Sequence, residues 1–123
     1  MDIKRVVNFE IGGNPYQLTI PTNRTLIAIE VKKAQLSKDQ YFTMMRTPTI
    51  LATTVLDLID AYCWLTIACP QFQDDTRIND ILDLDVLDSQ SILKAYREHI
   101  APWIASWQEA LSAVAKEAVD EEK

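Results

Sequence analysis

Val6-Val-Asn-Phe-Glu-Ile-Gly-Gly-Asn-Pro-Tyr-Gln-Leu-Thr-Ile20 is the stretch that decides the fold. Val7, Phe9 and Ile11 alternate with Asn8 and Glu10, and Tyr16, Leu18 and Ile20 alternate with Gln17 and Thr19. Successive strand side chains point to opposite faces, so each run predicts one apolar and one polar face. Gly12-Gly13-Asn14 stand between the runs, and such residues accept the positive φ that a tight hairpin turn demands. Both glycines of the chain fall in this one turn, which predicts a β-hairpin within residues 1–21. A lone hairpin is marginal in water, so its apolar face must lie on the rest of the chain or on another chain.

After Pro21 the spacing becomes helical. Thr22 or Asn23 can cap a helix carrying Leu26, Ile27, Ile29 and Val31, with Lys32-Lys33 as cations suited to its C-terminal end. Ser37-Lys38-Asp39-Gln40 reads as a capping box opening a short helix with Tyr41, Phe42, Met44 and Met45. Thr47-Pro48 offers a cap followed by proline at the first helical position, for a central helix running to Pro70. Its core face is predicted from Leu51, Val55, Leu58, Ile59, Tyr62 and Leu65 at three- and four-residue spacing. Ile78, Ile81, Leu82 and Leu84 suggest a further short helix among several aspartates. Asp88 or Ser89 then caps a last helix with Ile92, Leu93, Tyr96, Ile100, Trp103, Ile104, Trp107, Leu111 and Val114. Pro102 should kink or divide it. The expected fold class is α+β, an N-terminal β-hairpin followed by a bundle of about four to five α-helices. Residues 1–123 form one domain on this reading: hairpin 1–21, helical region 22–118, acidic tail 119–123.

Composition limits the function. The chain has 123 residues, 48% hydrophobic and 24% charged, which suits one globular core. Twelve basic against 18 acidic residues leave a net charge of −6, and the basic residues are scattered. That argues against nucleic acid or an anionic membrane as a partner. The N-terminus has no apolar signal region, and Asp57 and Asp60 interrupt the most apolar stretch, so a cytoplasmic chain is expected. Cys63 and Cys69 sit six apart on one helix, too far to bridge, and read as small buried hydrophobes in a reducing compartment.

No constellation assembles into catalysis. His99 is the only histidine, so neither a zinc set nor a Cys-His pair is at hand, and it reads as a surface residue. Asp83-Leu-Asp85-Val-Leu-Asp88 is like a calcium loop only superficially, since it lacks the glycine at the sixth position and the glutamate at the twelfth. Those carboxylates are expected to solvate and cap the start of the last helix. Gly12-Gly13 is followed by a strand and not a helix N-terminus, so it is no phosphate cradle. Asp57 and Asp60 lie three apart on one helix face, a polar stripe that could pair with Arg46, with Arg77 or with a partner. Trp103 and Trp107, four apart, share a face and suit either a core or a protein interface.

In layout the chain resembles the small tail assembly chaperones of long-tailed bacteriophages. The residues that carry the likeness are Phe9-Glu-Ile-Gly-Gly-Asn-Pro-Tyr-Gln-Leu-Thr-Ile-Pro21, the acidic helix segment Leu56-Asp-Leu-Ile-Asp60, and the Tyr96 to Trp107 segment with Ile-Ala-Pro-Trp at its core. The resemblance implies a non-enzymatic protein-binding assembly factor, working in the host cytoplasm. Such a factor coats a helical, hydrophobic tape measure client and keeps it soluble until tail tube protein polymerises around it. Members are often made in a short and a frameshifted longer form, and this chain would be the short form or its N-terminal domain. The candidate partner-binding residues are Trp103, Trp107, Tyr96 and Ile100 on the last helix, Asp57 and Asp60, and Phe9 and Tyr16 on the hairpin. No cofactor is expected. The alternative is a structural virion or homo-oligomer subunit that uses the hairpin edge for contacts between subunits.

Overall fold

A computed structural model describes residues 3–46, 49–73 and 81–121. Strands β1 (Val6–Ile11) and β2 (Asn14–Thr19) pair antiparallel, Val7 opposite Leu18 and Phe9 opposite Tyr16. Gly12 and Gly13 turn the chain at φ +58° and +84°. Two successive positive φ values suit the right-handed twist of the strands, and a side chain there would be strained. Phe9, Ile11, Tyr16 and Leu18 are buried on one face, each contributing roughly 1.5–3 kcal/mol by leaving water. The helices supply the cover that the hairpin requires.

Helix α1 (Asn23–Ser37) is capped by Thr22, whose hydroxyl accepts from the Thr25 N–H at 3.2 Å. It outlasts Lys32-Lys33, so these cations sit mid-helix and not at a C-terminal end. The expected capping box at Ser37-Lys38-Asp39-Gln40 is not formed. Lys38 and Asp39 take left-handed φ values of 53° and 62° and end α1 instead. The Asp39 N–H bonds the Ala34 carbonyl at 2.9 Å and the Lys38 N–H bonds that of Gln35 at 3.3 Å. That is a Schellman closure made without glycine. Gln40 precedes α2 (Tyr41–Met45) and gives it no side-chain cap.

Helix α3 (Ile50–Ala68) is the central element and by length and composition could cross a membrane; here the other helices pack around it. Its cap is Thr49, accepting from the Ala52 N–H at 3.0 Å; Thr47 and Pro48, the expected cap, lie outside the described residues. It ends at Ala68, two residues before Pro70, which opens the short turn α4 (Pro70–Gln73). The suggested helix over Ile78 to Leu84 lies partly outside the described residues, and what is described is a 3-10 turn, Ile81–Asp83.

The last helix is α5 (Gln90–Ala95), a π turn (Tyr96–Ile100) and α6 (Ala101–Glu121) in succession. The Ala101 N–H bonds the Tyr96 carbonyl across the wider turn, immediately before Pro102. Proline has no N–H and its ring clashes with the preceding helical turn, so the π turn is where the helix accommodates it. Helical backbone continues through Glu121, and residues 122 and 123 of the expected acidic tail lie outside the described residues.

Candidate protein-binding surface

The acidic pair of α3 divides between core and surface. Asp60 is buried, its Oδ1 2.7 Å from Lys33 Nζ of α1, while the Tyr96 hydroxyl of the π turn donates to Oδ2. Oδ1 accepts no aligned hydrogen bond from the described residues and is matched through the ion pair alone. Lys33 also reaches Glu30 at 3.2 Å and lies 5.0 Å from the centre of the Tyr41 ring. Burial pulls the Lys33 ammonium down, but Asp60, Tyr41 and Glu30 together outweigh it and hold it above its ordinary value. Burial, then the Asp60 charge, push Tyr41 up to about 12; the same two causes, with Asp60 also accepting its hydrogen bond, raise Tyr96. One carboxylate thus joins α1, α3 and the π turn. Asp57, partly exposed, pairs with Arg97 at 2.7 Å, and Arg97 is itself half-exposed. Neither aspartate pairs with Arg46, and Arg77 lies outside the described residues.

The tryptophans also turn inward. Trp64, Trp103 and Trp107 meet edge to face at 6.0, 6.1 and 5.9 Å between ring centres. This tilted geometry sets the positive edge of one ring against the negative face of the next. Trp103 Nε1 donates to the Lys4 carbonyl at 2.7 Å, tying α6 to the start of the hairpin. Trp107 Nε1 is buried without a partner among the described residues. Trp103 and Trp107 therefore do not present the exposed binding face expected of them. Tyr96, Ile100, Phe9 and Tyr16 are buried as well, and Asp60 is withdrawn from any surface. Of the predicted partner-binding set, only Asp57 keeps substantial contact with solvent.

What is exposed lies elsewhere. Ile50 and Leu51, at the start of α3, are 86% and 73% exposed, and Val55 follows one turn later. Phe42 and Met45 of α2 are likewise exposed, as are Ile27 and Val31 on α1. The predicted core face of α3 is thus wrong at its first two positions, Leu51 and Val55. Ile59 and Leu65 of that face are buried, and Leu56, Ala61, Cys63 and Trp64 are buried with them. The start of α3 is apolar on several faces, so spacing alone cannot say which stripe turns inward. Single exposed apolar residues are ordinary, but here large ones recur on α2 and the first turns of α3.

A groove of about 740 Å³ separates the hairpin from α5 and the π turn. Asn8, Phe9 and Glu10 line one side, Lys94, Glu98 and His99 the other. His99 is exposed, and neither Asp57 nor Asp60 reaches the groove. Among the described residues no three His, Cys, Asp or Glu side chains converge as metal ligands. Asp85 organises the loop before α5: its Oδ1 accepts from the Asp88 N–H at 2.8 Å and its carbonyl from the Ser89 hydroxyl at 3.0 Å. Ser89 is the N-cap residue, yet its hydroxyl caps no helical N–H. Cys63 and Cys69 are both free and buried.

The chain matches no family model, no curated protein and no solved structure. Its function must therefore be argued from its own surface. The sequence does hold a signal for the exposed set, in Phe42 to Val55. Twelve of those fourteen residues are Phe, Met, Ile, Leu, Val, Thr or Ala between two short helical starts. A segment so short of charge has too many apolar faces for one core to cover.

Proposed function

We propose that this protein is a non-enzymatic, protein-binding assembly factor of the phage tail assembly chaperone kind. Its client would be a helical tape measure segment, kept soluble until tail tube protein takes its place. The observation that carries this reading is the exposed apolar set on α2 and the start of α3. An amphipathic helix binds by laying its apolar face against such a surface, using residues one turn apart. Ile50, Leu51 and Val55 offer anchors at that spacing, and Phe42 and Met45 are exposed on α2, which packs against α3. The net charge of −6 keeps the loaded complex soluble, because like-charged bodies repel. The order of hairpin and helices agrees with the family layout named above. Co-expression with a tape measure segment tests the proposal: the client should move from the pellet to the soluble fraction. A client equally insoluble with and without this chain would sink it.

A further inference from the structure

We infer that the free edge of β1 is a pairing site for a second copy of this chain, joined antiparallel about a two-fold axis at Asn8. The Ile20 N–H bonds the Arg5 carbonyl at 2.9 Å, and Val6 stands opposite Thr19. Hydrogen-bonded and non-bonded pairs alternate in an antiparallel ladder. Val7 and Phe9 therefore bond β2, while the backbone groups of Val6, Asn8 and Glu10 point away from it. The opposite edge is blocked at Pro15 and Gln17. Pro15 has no N–H, the Gln17 N–H donates to Gln71 Oε1 at 3.0 Å, and the Gln17 carbonyl accepts from Cys69 Sγ at 3.5 Å. Proline and a covering turn are means by which proteins silence a strand edge.

Two residues before β1, the Lys4 carbonyl is taken by Trp103. From Val6 to Glu10 the outward backbone groups have no hydrogen-bond partner among the described residues, and Asn8 and Glu10 border the groove between β1 and the neighbouring α5 and π turn. One open edge and one blocked edge permit a closed dimer and forbid a fibre. The Asn8 register is the one that pairs all three outward residues, and charge agrees with it. With Asn8 opposite its own copy, Val6 faces the second copy's Glu10, and exposed Lys4 lies diagonally across from that same glutamate. Sliding the strands by two residues would pair fewer of the outward residues, and sliding them by four would set the two Glu10 side chains face to face. Three outward residues per strand can exchange roughly six backbone hydrogen bonds, and two marginal hairpins become one four-stranded sheet.

Sedimentation equilibrium over a wide concentration range, with amide exchange measured by NMR, tests this. The expected result is a monomer that becomes a dimer with concentration, while exchange at the outward amides of Asn8 and Glu10 slows. Asn8→Pro should abolish the dimer, because it removes an outward N–H that the hairpin does not use. Glu10→Lys should weaken association about tenfold, two attractions having become repulsions, and Lys4→Glu with Glu10→Lys should restore it. These exposed charge changes keep the test alive if the proline variant fails to fold. A monomer at every concentration would overturn the inference, as would a dimer indifferent to the charge swaps. So would a dimer whose Asn8 and Glu10 amides still exchange fast. Leu51→Glu, which tests client binding, should leave this dimer intact, so the two proposals fail separately.

Discussion

Replacing Asp60 by alanine strips the countercharge from Lys33, whose side chain is only 12% exposed, and the acceptor from the buried Tyr96 hydroxyl. Breaking a buried ion pair from one side costs about 3–5 kcal/mol, because the remaining charge stays buried and unmatched. That is a large share of the roughly 5–15 kcal/mol that holds a domain together, and it should lower Tm by on the order of 10–20 °C. Lys33→Ala should cost nearly as much, leaving the carboxylate alone. Tyr96→Phe, which removes one donor, should cost about 1–3 kcal/mol. Losing both charges must then hurt less than the sum of the single losses. Lys33→Met with Asp60→Leu, which fills the site with apolar groups of similar size, should recover most of the stability. Urea unfolding followed by circular dichroism reads all of these, with an unchanged slope showing that the unfolded state is the same. Additive single and double losses would refute the coupling, and an Asp60→Ala cost below about 1 kcal/mol would remove the network from the core.

Further outcomes follow from backbone geometry and titration. Lys38→Gly should stabilise by roughly 0.5–1 kcal/mol in the same unfolding assay, since an L side chain at φ 53° is strained and glycine is not. Gly12→Ala should cost about 1–2 kcal/mol. Gly12→Asn should stay within about 0.5 kcal/mol, because asparagine accepts the left-handed turn conformation and nothing lies within 4 Å of the new Cβ. Stability should fall in alkali: Cys63 is raised by burial and by Asp60 from 9.0 to about 11, and Tyr41 from 10.0 to about 12. Raised groups keep protons in the fold that the unfolded chain has already lost, so their contribution is full below pH 9 and drains away above it. Lys33 acts in the same direction, its contribution present below its ordinary 10.5 and lost at higher pH. Thermal melts from pH 8 to about 11 should show a steady decline that begins later in Cys63→Ala; a flat profile would contradict it.

The hairpin is legible in the sequence because period-two alternation on both sides of Gly12-Gly13 admits one register. The helix content is equally legible. Helix ends are less so. Ser37 to Gln40 carries the letters of a capping box, yet with both glycines spent on the hairpin the chain closes α1 with left-handed Lys38 and Asp39. Trp103 and Trp107 share a face by spacing, but which way that face turns depends on Trp64, 39 residues before Trp103 in sequence. Asp60 is paired by Lys33 and Tyr96 from two other helical elements, and no local pattern announces a contact that tertiary packing makes. The exposed stripe of α3 is illegible for the converse reason: periodicity finds an apolar face, and only packing decides whether a neighbour covers it.

The most direct test of client binding measures affinity for a tape measure helix by titration calorimetry, using the native protein, Leu51→Glu and Ile50→Glu. Both side chains are largely exposed, so the variants should fold and melt as the parent does. Each buried charge at the interface should weaken binding at least tenfold, equal to about 1.4 kcal/mol. Variants that fold normally and bind with unchanged affinity would contradict the assignment of this surface.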